Sequence, residues 1–282
     1  MSADATSLQQ PADPASVATY GRVVEASLER IWENVLDWEH LPWLHAGTFS
    51  GIRLLGADEQ GWRAVATLSA EHGGGETDVE VRLDRDNLRY TTRTAVEALL
   101  VTEIVTVLDP VGPHQTRIEV DFRVAGIDAT QAAELGDYYK KLYTRLWDED
   151  EVMMMARERC LATARDRAPA GALDDGEREA IVLGPIGELR ARLPLLVETG
   201  GRLFRIVDHE GELLVHAARC PHRGGSLDVT IESGCVRCPW HGYSFDVTTG
   251  LSSDGRALRL ERAPRAVVDE ASGDVLLQWD RS

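Results

Sequence analysis

Two short segments near the C-terminus constrain the fold of this chain more than any other feature. Residues 220–225 read Cys-Pro-His-Arg-Gly-Gly, and residues 238–242 read Cys-Pro-Trp-His-Gly. Each segment offers one thiolate and one imidazole, in the spacing C-x-H followed by C-x2-H. The prolines restrict the backbone of both loops, and the glycines allow tight turns. The pattern predicts a metal centre whose four ligands are Cys220, His222, Cys238 and His241.

The distribution of these ligands favours an iron–sulfur cluster over zinc. A structural zinc site also takes two Cys and two His, but zinc fingers usually place both Cys in one half of the motif. Here each half carries one Cys and one His, which suits a [2Fe-2S] cluster with two Cys on one iron and two His on the other. The second loop continues as G-Y-S-F-D over residues 242–246. The whole string resembles the second cluster loop of the Rieske family.

The resemblance also indicates the type of cluster. Respiratory Rieske proteins carry a further, disulfide-forming Cys in each loop, and the matching positions here are Gly225 and Trp240. No such disulfide can form, so the resemblance implies the low-potential type found in oxygenases and ferredoxins. The two remaining cysteines, Cys160 and Cys235, do not fit the ligand spacing. Four cysteines used in this way do not form a disulfide framework, which favours a reducing compartment.

Length and charge limit the classes of protein to which the chain can belong. A length of 282 residues predicts two domains. A net charge of −17 argues against nucleic acid or an anionic membrane as a partner. Neither a signal-peptide pattern nor an apolar run of membrane length is recognisable, so a cytoplasmic protein is expected. The expected divisions are a disordered N-terminus at 1–17, a first domain at 18–168, a linker at 169–177 and a second domain at 178–282.

The pattern of the first domain predicts an α+β fold. A strand precedes an amphipathic helix over about 29–40, which Pro42 is expected to end. Six strand-like segments separated by turn residues, including a turn at 109–113, then predict an antiparallel meander. A long helix is expected over about 129–167. This order resembles the helix-grip, or START-like, fold, which implies a sheet wrapped on its last helix with an apolar cavity between them. The second domain is expected to be small and all-β, with the cluster at its tip.

A second group of metal-binding residues occurs in the predicted first helix. Glu33, Asp37 and His40 lie at positions i, i+4 and i+7, so they are expected to share one helical face. His45 follows shortly afterwards and is expected to fold back toward His40. Two imidazoles and one carboxylate from elsewhere form the facial triad that binds mononuclear Fe(II) and leaves positions open for O2 and substrate.

This stretch resembles the mononuclear-iron motif of Rieske non-haem iron oxygenases. The resemblance implies that His40 and His45 bind the iron. It also implies that Asp37 is a bridging carboxylate, which hydrogen-bonds toward a histidine of the cluster. The third ligand is expected from an acidic stretch of the long helix. The candidates, in order of preference, are Asp150, Asp148 and Glu151.

The resemblance implies the oxygenase component of a multi-protein system. Such a component uses O2 and electrons from a separate ferredoxin or reductase to hydroxylate, demethylate, desaturate or cyclise a small organic substrate, as a mono- or dioxygenase. The sequence has no glycine-rich dinucleotide fingerprint, so NAD(P)H is expected to be oxidised by the partner reductase. The resemblance also implies a homo-oligomer, with a trimer favoured. The domain order is the reverse of that in most of the family.

Two other interpretations remain open at this point. In the first, a START-like ligand-binding module is fused to a Rieske ferredoxin that only carries electrons. That protein would hold one [2Fe-2S] cluster and no mononuclear iron, and it would have no need of His40 and His45 with an acidic partner. In the second, a cyclase-like helix-grip enzyme carries the cluster in a regulatory role.

Overall fold

The chain folds into two compact units, which divide after Glu158 and are called the N-terminal and the C-terminal unit. The linker predicted at 169–177 lies outside the described residues, as does most of the predicted disordered segment at 1–17. The first strand begins at Ala15, three residues before the expected start of the domain. The computed structural model of the protein describes residues 14–96, 100–166 and 180–279.

The N-terminal unit is built on a seven-stranded antiparallel sheet. Its strands are β1 (Ala15–Val24), β2 (Phe49–Asp58), β3 (Gly61–Leu68), β4 (Glu76–Asp84), β5 (Arg89–Val96), β6 (Leu100–Gly112) and β7 (Gln115–Val124). The strand order is β1-β7-β6-β5-β4-β3-β2, so the predicted meander is closed by β1 on β7. The prediction of a turn over 109–113 is wrong. Pairing of β6 with β7 continues through Pro110 to Gly112, which leaves only two residues between the strands.

The predicted first helix is also shorter than expected. The helices that begin in this unit are α1 (Leu28–Leu36), α2 (Leu41–Leu44) and α3 (Ala129–Asp166), and the residues of α3 from Arg159 onward belong to the C-terminal unit. Two 3₁₀ turns lie at Trp38–His40 and Ala70–His72. Helix α1 begins after Ser27, whose Oγ accepts a hydrogen bond from the Arg30 N–H at 3.4 Å. Pro42 does not end a helix, because it lies in the first turn of α2, where its missing N–H is not needed. Glu33, Asp37 and His40 therefore do not share one continuous helical face.

The core lies between the sheet and helices α1 and α3. Trp62 of β3 donates its indole N–H to the Val35 carbonyl of α1 at 2.9 Å. Phe122 of β7 stacks on Tyr139 of α3, with ring centroids 5.1 Å apart. A Cβ at Gly136 of α3 would lie 2.7 Å from a β1 carbonyl, so this glycine allows the helix to approach the sheet closely. The predicted α+β class, with an antiparallel sheet and a long helix after it, is confirmed.

The C-terminal unit consists of small antiparallel sheets. Its strands are β8 (Ile181–Pro185), β9 (Leu195–Thr199), β10 (Arg202–His209), β11 (Glu212–Ala217), β12 (Cys235–Arg237), β13 (Ser244–Asp246), β14 (Arg265–Val268) and β15 (Asp274–Gln278). They pair as β11-β10-β9, β12-β13 and β14-β15-β8. One short helix, α4 (Ile186–Arg190), was not predicted. No helix among the described residues is both long and apolar enough to cross a membrane.

Candidate metal centres

The two Cys–His loops of the C-terminal unit adopt the same backbone turn. In the first loop, the Cys220 carbonyl accepts a hydrogen bond from the Gly224 N–H at 2.9 Å, and the Cys220 N–H donates to the Gly225 carbonyl at 2.8 Å. In the second loop, the Cys238 carbonyl accepts from the Gly242 N–H at 2.9 Å, and the Cys238 N–H donates to the Tyr243 carbonyl at 2.8 Å. Gly224 and Gly242 have φ values of +83° and +69°, a conformation that glycine adopts without a Cβ penalty.

An arginine before each cysteine completes the turn. The guanidinium of Arg219 donates to the Gly224 carbonyl at 3.4 Å, and that of Arg237 donates to the Gly242 carbonyl at 3.0 Å. The two loops thus share the sequence R-C-P-x2-G, a repeat that was not used in the prediction although it is visible in the sequence. The histidine occupies the first variable position in one loop and the second in the other. This difference explains the unequal spacings C-x-H and C-x2-H.

The two loops bring the four predicted cluster ligands together. Cys220 and Cys238 are both buried, and the rings of His222 and His241 lie 4.5 Å apart between centroids. The two neighbouring sulfurs interact, so that the Cys220 thiol lowers the pKa of Cys238 while its own pKa is raised. Two adjacent sulfurs and two adjacent imidazoles in one site fit a cluster with two thiolates on one iron and two imidazoles on the other.

Aromatic side chains surround these ligands. The Tyr243 ring stacks on His222 with centroids 4.5 Å apart, and the Arg256 guanidinium lies 3.8 Å above the Tyr243 ring. A Cβ at Gly225 would lie 3.0 Å from the Trp240 ring, so these two positions face each other. They are the positions at which respiratory Rieske proteins were expected to carry their disulfide. The indole of Trp240 fills this space instead.

The N-terminal unit holds a cavity of about 330 Å³ between helix α3 and the sheet. Most of its wall is apolar or aromatic. The predicted iron-site residues all contribute to the wall, and they are Asp37, His40, His45 and Asp150. All four are buried. Candidate residues from two distant stretches of sequence therefore line one cavity.

Three of these side chains converge on a common point. Oδ1 of Asp150 lies 3.5 Å from Nε2 of His40 and 3.1 Å from Nε2 of His45. One ligand atom from each of the three residues lies within 4.8 Å of the others. The donor set of two imidazoles and one carboxylate fits a mononuclear metal such as Fe(II).

Further polar groups lie behind these side chains. Nδ1 of His45 lies 2.6 Å from Oε2 of Glu149, and Nδ1 of His40 faces Asp37 at 4.0 Å. The side-chain amide of Asn34 lies beside Asp150 and favours its ionised form. Carboxylates behind ligating histidines fix the ring orientation and the tautomer in metal sites. Glu149 was not predicted, and its only signal was its place in the acidic stretch beside Asp150.

The charges of the site are strongly coupled. Burial lowers the pKa of His45, but the attraction and hydrogen bonds of Asp150 and Glu149 outweigh it and raise the pKa from 6.5 to about 9. Burial alone would raise the pKa of Asp150. His45, His40 and Asn34 together lower it below its usual value. The carboxylate is thus held ionised among nitrogen atoms, as a metal ligand must be.

The two reserve candidates for the third ligand lie elsewhere. Arg22 of β1 forms ion pairs with both Asp148, at 2.5 Å, and Glu151. The Asp148 side chain is 60% exposed. Residues 148, 149, 150 and 151 are consecutive on α3, so their side chains point in different directions around the helix. Only Asp150 reaches both imidazole Nε2 atoms.

Comparisons with known proteins identify the C-terminal unit more specifically than the N-terminal one. Residues 179–262 match the family model of the Rieske [2Fe-2S] domain. The chain therefore carries a Rieske domain, which supports a [2Fe-2S] cluster and a role in electron transfer. No curated protein matches the chain significantly.

Several solved structures resemble parts of the chain. A START superfamily protein from Mycobacterium smegmatis is 19% identical, with a TM-score of 0.39, and the match covers 48% of this chain and 97% of that one. The Zhui aromatase/cyclase from Streptomyces sp. R1128 is 11% identical, with a TM-score of 0.44 and coverages of 51% and 96%. The ferredoxin of carbazole 1,9a-dioxygenase from Nocardioides aromaticivorans IC177 is 23% identical, with a TM-score of 0.31 and coverages of 36% and 100%. At this level of similarity, none of them indicates a reaction.

Proposed function

We propose that the chain is the oxygenase component of a Rieske non-haem iron oxygenase with reversed domain order. His40, His45 and Asp150 would hold a mononuclear Fe(II) beside the cavity, and a small organic substrate would bind in the cavity. The observation that carries the proposal is the convergence of three buried metal-ligating groups on a cavity wall, in a chain that also contains a Rieske domain.

Each residue of the site has a definite task in this proposal. When bound, the iron would supply O2 activation and the [2Fe-2S] cluster would supply electrons. The two imidazoles and the carboxylate would use three positions on the metal and would leave the others open. Glu149 accepts a hydrogen bond from Nδ1 of His45, which directs the lone pair of Nε2 toward the metal. Asp37, which lies behind His40, is proposed to be the carboxylate that links toward a cluster histidine.

Partners and domains follow from the same proposal. A separate ferredoxin or reductase would deliver electrons to Cys220, His222, Cys238 and His241, and NAD(P)H would be consumed by that partner. The catalytic domain would span 18–168 and the Rieske domain 178–282. A homo-oligomer, with a trimer favoured, would provide a route for electrons between subunits.

Iron content tests the proposal directly. Protein purified without oxygen and reconstituted with Fe(II) is expected to hold about three irons per chain, and the His40→Ala/His45→Ala variant about two, with an unchanged cluster spectrum. His114→Ala is a suitable control, because the His114 side chain is 65% exposed, and it should retain all the iron. Two irons in both the wild type and the double variant would contradict the proposal. The chain would then be a ligand-binding module that carries electrons.

Metal binding is also expected to release a proton. The pKa of His45 is about 9 without metal, so its imidazole is protonated at pH 7.5, whereas a metal requires the neutral form. Titration calorimetry with Co(II) in buffers of different protonation enthalpy should show release of about one proton at pH 7.5 and much less at pH 10. Metal binding at pH 7.5 without proton release would contradict the assignment of His45 as a ligand.

The same pKa shift affects the stability of the metal-free protein. Because the folded pKa of His45 is raised, its stabilisation is complete below pH 6.5 and is lost as the pH rises through about 9. The midpoint of thermal unfolding without metal should therefore fall over this range.

A further inference from the structure

The cavity of the N-terminal unit has a row of hydroxyl groups along one strand of its wall. Strand β5 contributes Tyr90, Thr92 and Thr94, which are alternate residues on one face of the strand. The cross-strand neighbours of Thr92 on this face are apolar, namely Val81 and Ile104. A strand face that covers a core normally carries apolar residues. Three hydroxyls in a row therefore suggest a role other than packing.

Helix α3 adds a hydroxyl from another side of the cavity. Tyr143 lines the cavity, and among the described residues its hydroxyl forms no hydrogen bond, like those of Thr92 and Thr94. The neighbouring Tyr139 is different, because its hydroxyl already bonds a threonine of β6 at 2.8 Å. Burial raises the pKa of Tyr143 well above 10, so its hydroxyl keeps its proton and can donate.

The charges of the wall exclude one class of ligand. None of the described residues that line the cavity is Lys or Arg. The imidazolium of His45, which also lines the cavity, is already paired with Asp150 and Glu149. A carboxylate or phosphate placed there would therefore lose its hydration without gaining an unpaired Lys or Arg, which is costly. The walls also offer several aromatic rings, which present favourable faces and edges to a flat molecule. These residues are Phe49, Trp62, Tyr138, Tyr139 and Trp147.

We propose that the cavity binds an uncharged ring compound with a carbonyl or hydroxyl oxygen on one edge, to which Tyr143 donates a hydrogen bond. Thr92 and Thr94 contact the same polar edge. The cavity volume of about 330 Å³ lies at the lower end of the range for small-molecule sites. The inference rests on the proposed function in taking this ligand as the substrate. The hydroxyl row contains no metal ligand, so binding can be measured without metal.

Three probes of the same size separate the contributions to binding. They are 2-acetylnaphthalene, which has a ketone oxygen, 2-isopropylnaphthalene, which has none, and the anion 2-naphthoate. Equilibrium dialysis against the full-length protein, with no metal in the mononuclear site, gives the affinity of each probe. Tyr143→Phe is expected to weaken binding of the ketone about five- to tenfold, the effect of one lost hydrogen bond, and to change binding of the hydrocarbon less than about twofold. The naphthoate is expected to bind at least about tenfold more weakly than the ketone.

Two further variants serve as a second test and a control. Thr92→Val/Thr94→Val should also weaken only the ketone, and it keeps the experiment decisive if Tyr143→Phe folds poorly. Thr91→Val changes the opposite face of β5 and should leave all three affinities unchanged. Absence of ketone binding, equal losses for ketone and hydrocarbon, or tighter binding of the naphthoate would overturn the inference. Because the mononuclear site holds no metal in these measurements, their outcomes are independent of the iron count that tests the proposed function.

Discussion

Asp150→Asn is expected to reduce the affinity of the mononuclear site for Co(II) or Fe(II) by about 100-fold or more, while Asp148→Asn leaves it unchanged. The two residues lie on the same helix and carry the same carboxylate. Asp150 is buried within 3.5 Å of two imidazole Nε2 atoms, whereas Asp148 is exposed and paired with Arg22. The comparison therefore separates ligation from the general charge of the acidic stretch.

Glu149→Gln should give an intermediate result in the same experiment. Its carboxylate contacts Nδ1 of His45, so replacing it with a neutral amide weakens the hydrogen bond that orients the ring without removing a metal-binding atom. Removal of such a partner typically costs about 10- to 100-fold in metal affinity. Competition with a coloured chelator gives all three affinities, and circular dichroism checks the fold. Equal losses in Asp148→Asn and Asp150→Asn would refute the assignment of Asp150.

Gly225→Ala is the second change expected to have a large effect, and it should prevent most of the protein from retaining its cluster. The added Cβ would lie 2.8 Å from the Cys238 sulfur and 3.0 Å from the Trp240 ring. Neither neighbour can move easily, because Cys238 is held by its turn and both side chains are buried. Overpacking of this kind costs about 1–3 kcal/mol even in an ordinary core, and here it displaces a ligand atom.

Iron and acid-labile sulfide per chain, with the visible absorption spectrum, measure the effect of this change. Gly187→Ala is a matched control in the same unit, because nothing lies within 4 Å of a Cβ at that position. It should bind a full cluster. If Gly225→Ala does so as well, the close approach of this glycine to the cluster ligands has no functional meaning.

The cluster loops could be predicted from the sequence because their geometry is local. Cys220 and His222 lie in one turn, and Cys238 and His241 lie in another, so that spacing alone brings each pair together. The strands of the N-terminal sheet were predictable for a similar reason, since alternation and turn residues act over a few positions. The same holds for α3, which was predicted over 129–167 and is observed as Ala129–Asp166, up to the last described residue before the gap.

The details of the N-terminal site depend on packing that the sequence pattern does not contain. The helix predicted over 29–40 ends at Leu36, and a series of short turns then carries His40 and His45 toward each other. Which acidic residue of α3 reaches these histidines depends on the rotation of the helix against the sheet. The sequence pattern ranked Asp150 above Asp148 only by resemblance, and it did not indicate Glu149 as the partner of His45.

The repeated turn of the C-terminal unit has a consequence for the assembly of its cofactor. Each turn is closed by its own backbone hydrogen bonds and by the arginine that precedes its cysteine. The shape of each loop is therefore determined by about six adjacent residues. Both loops can reach this shape as the surrounding strands form, with their thiols and imidazoles already grouped. We therefore expect this unit to fold before iron and sulfide are inserted, because neither turn depends on a contact made by the cluster.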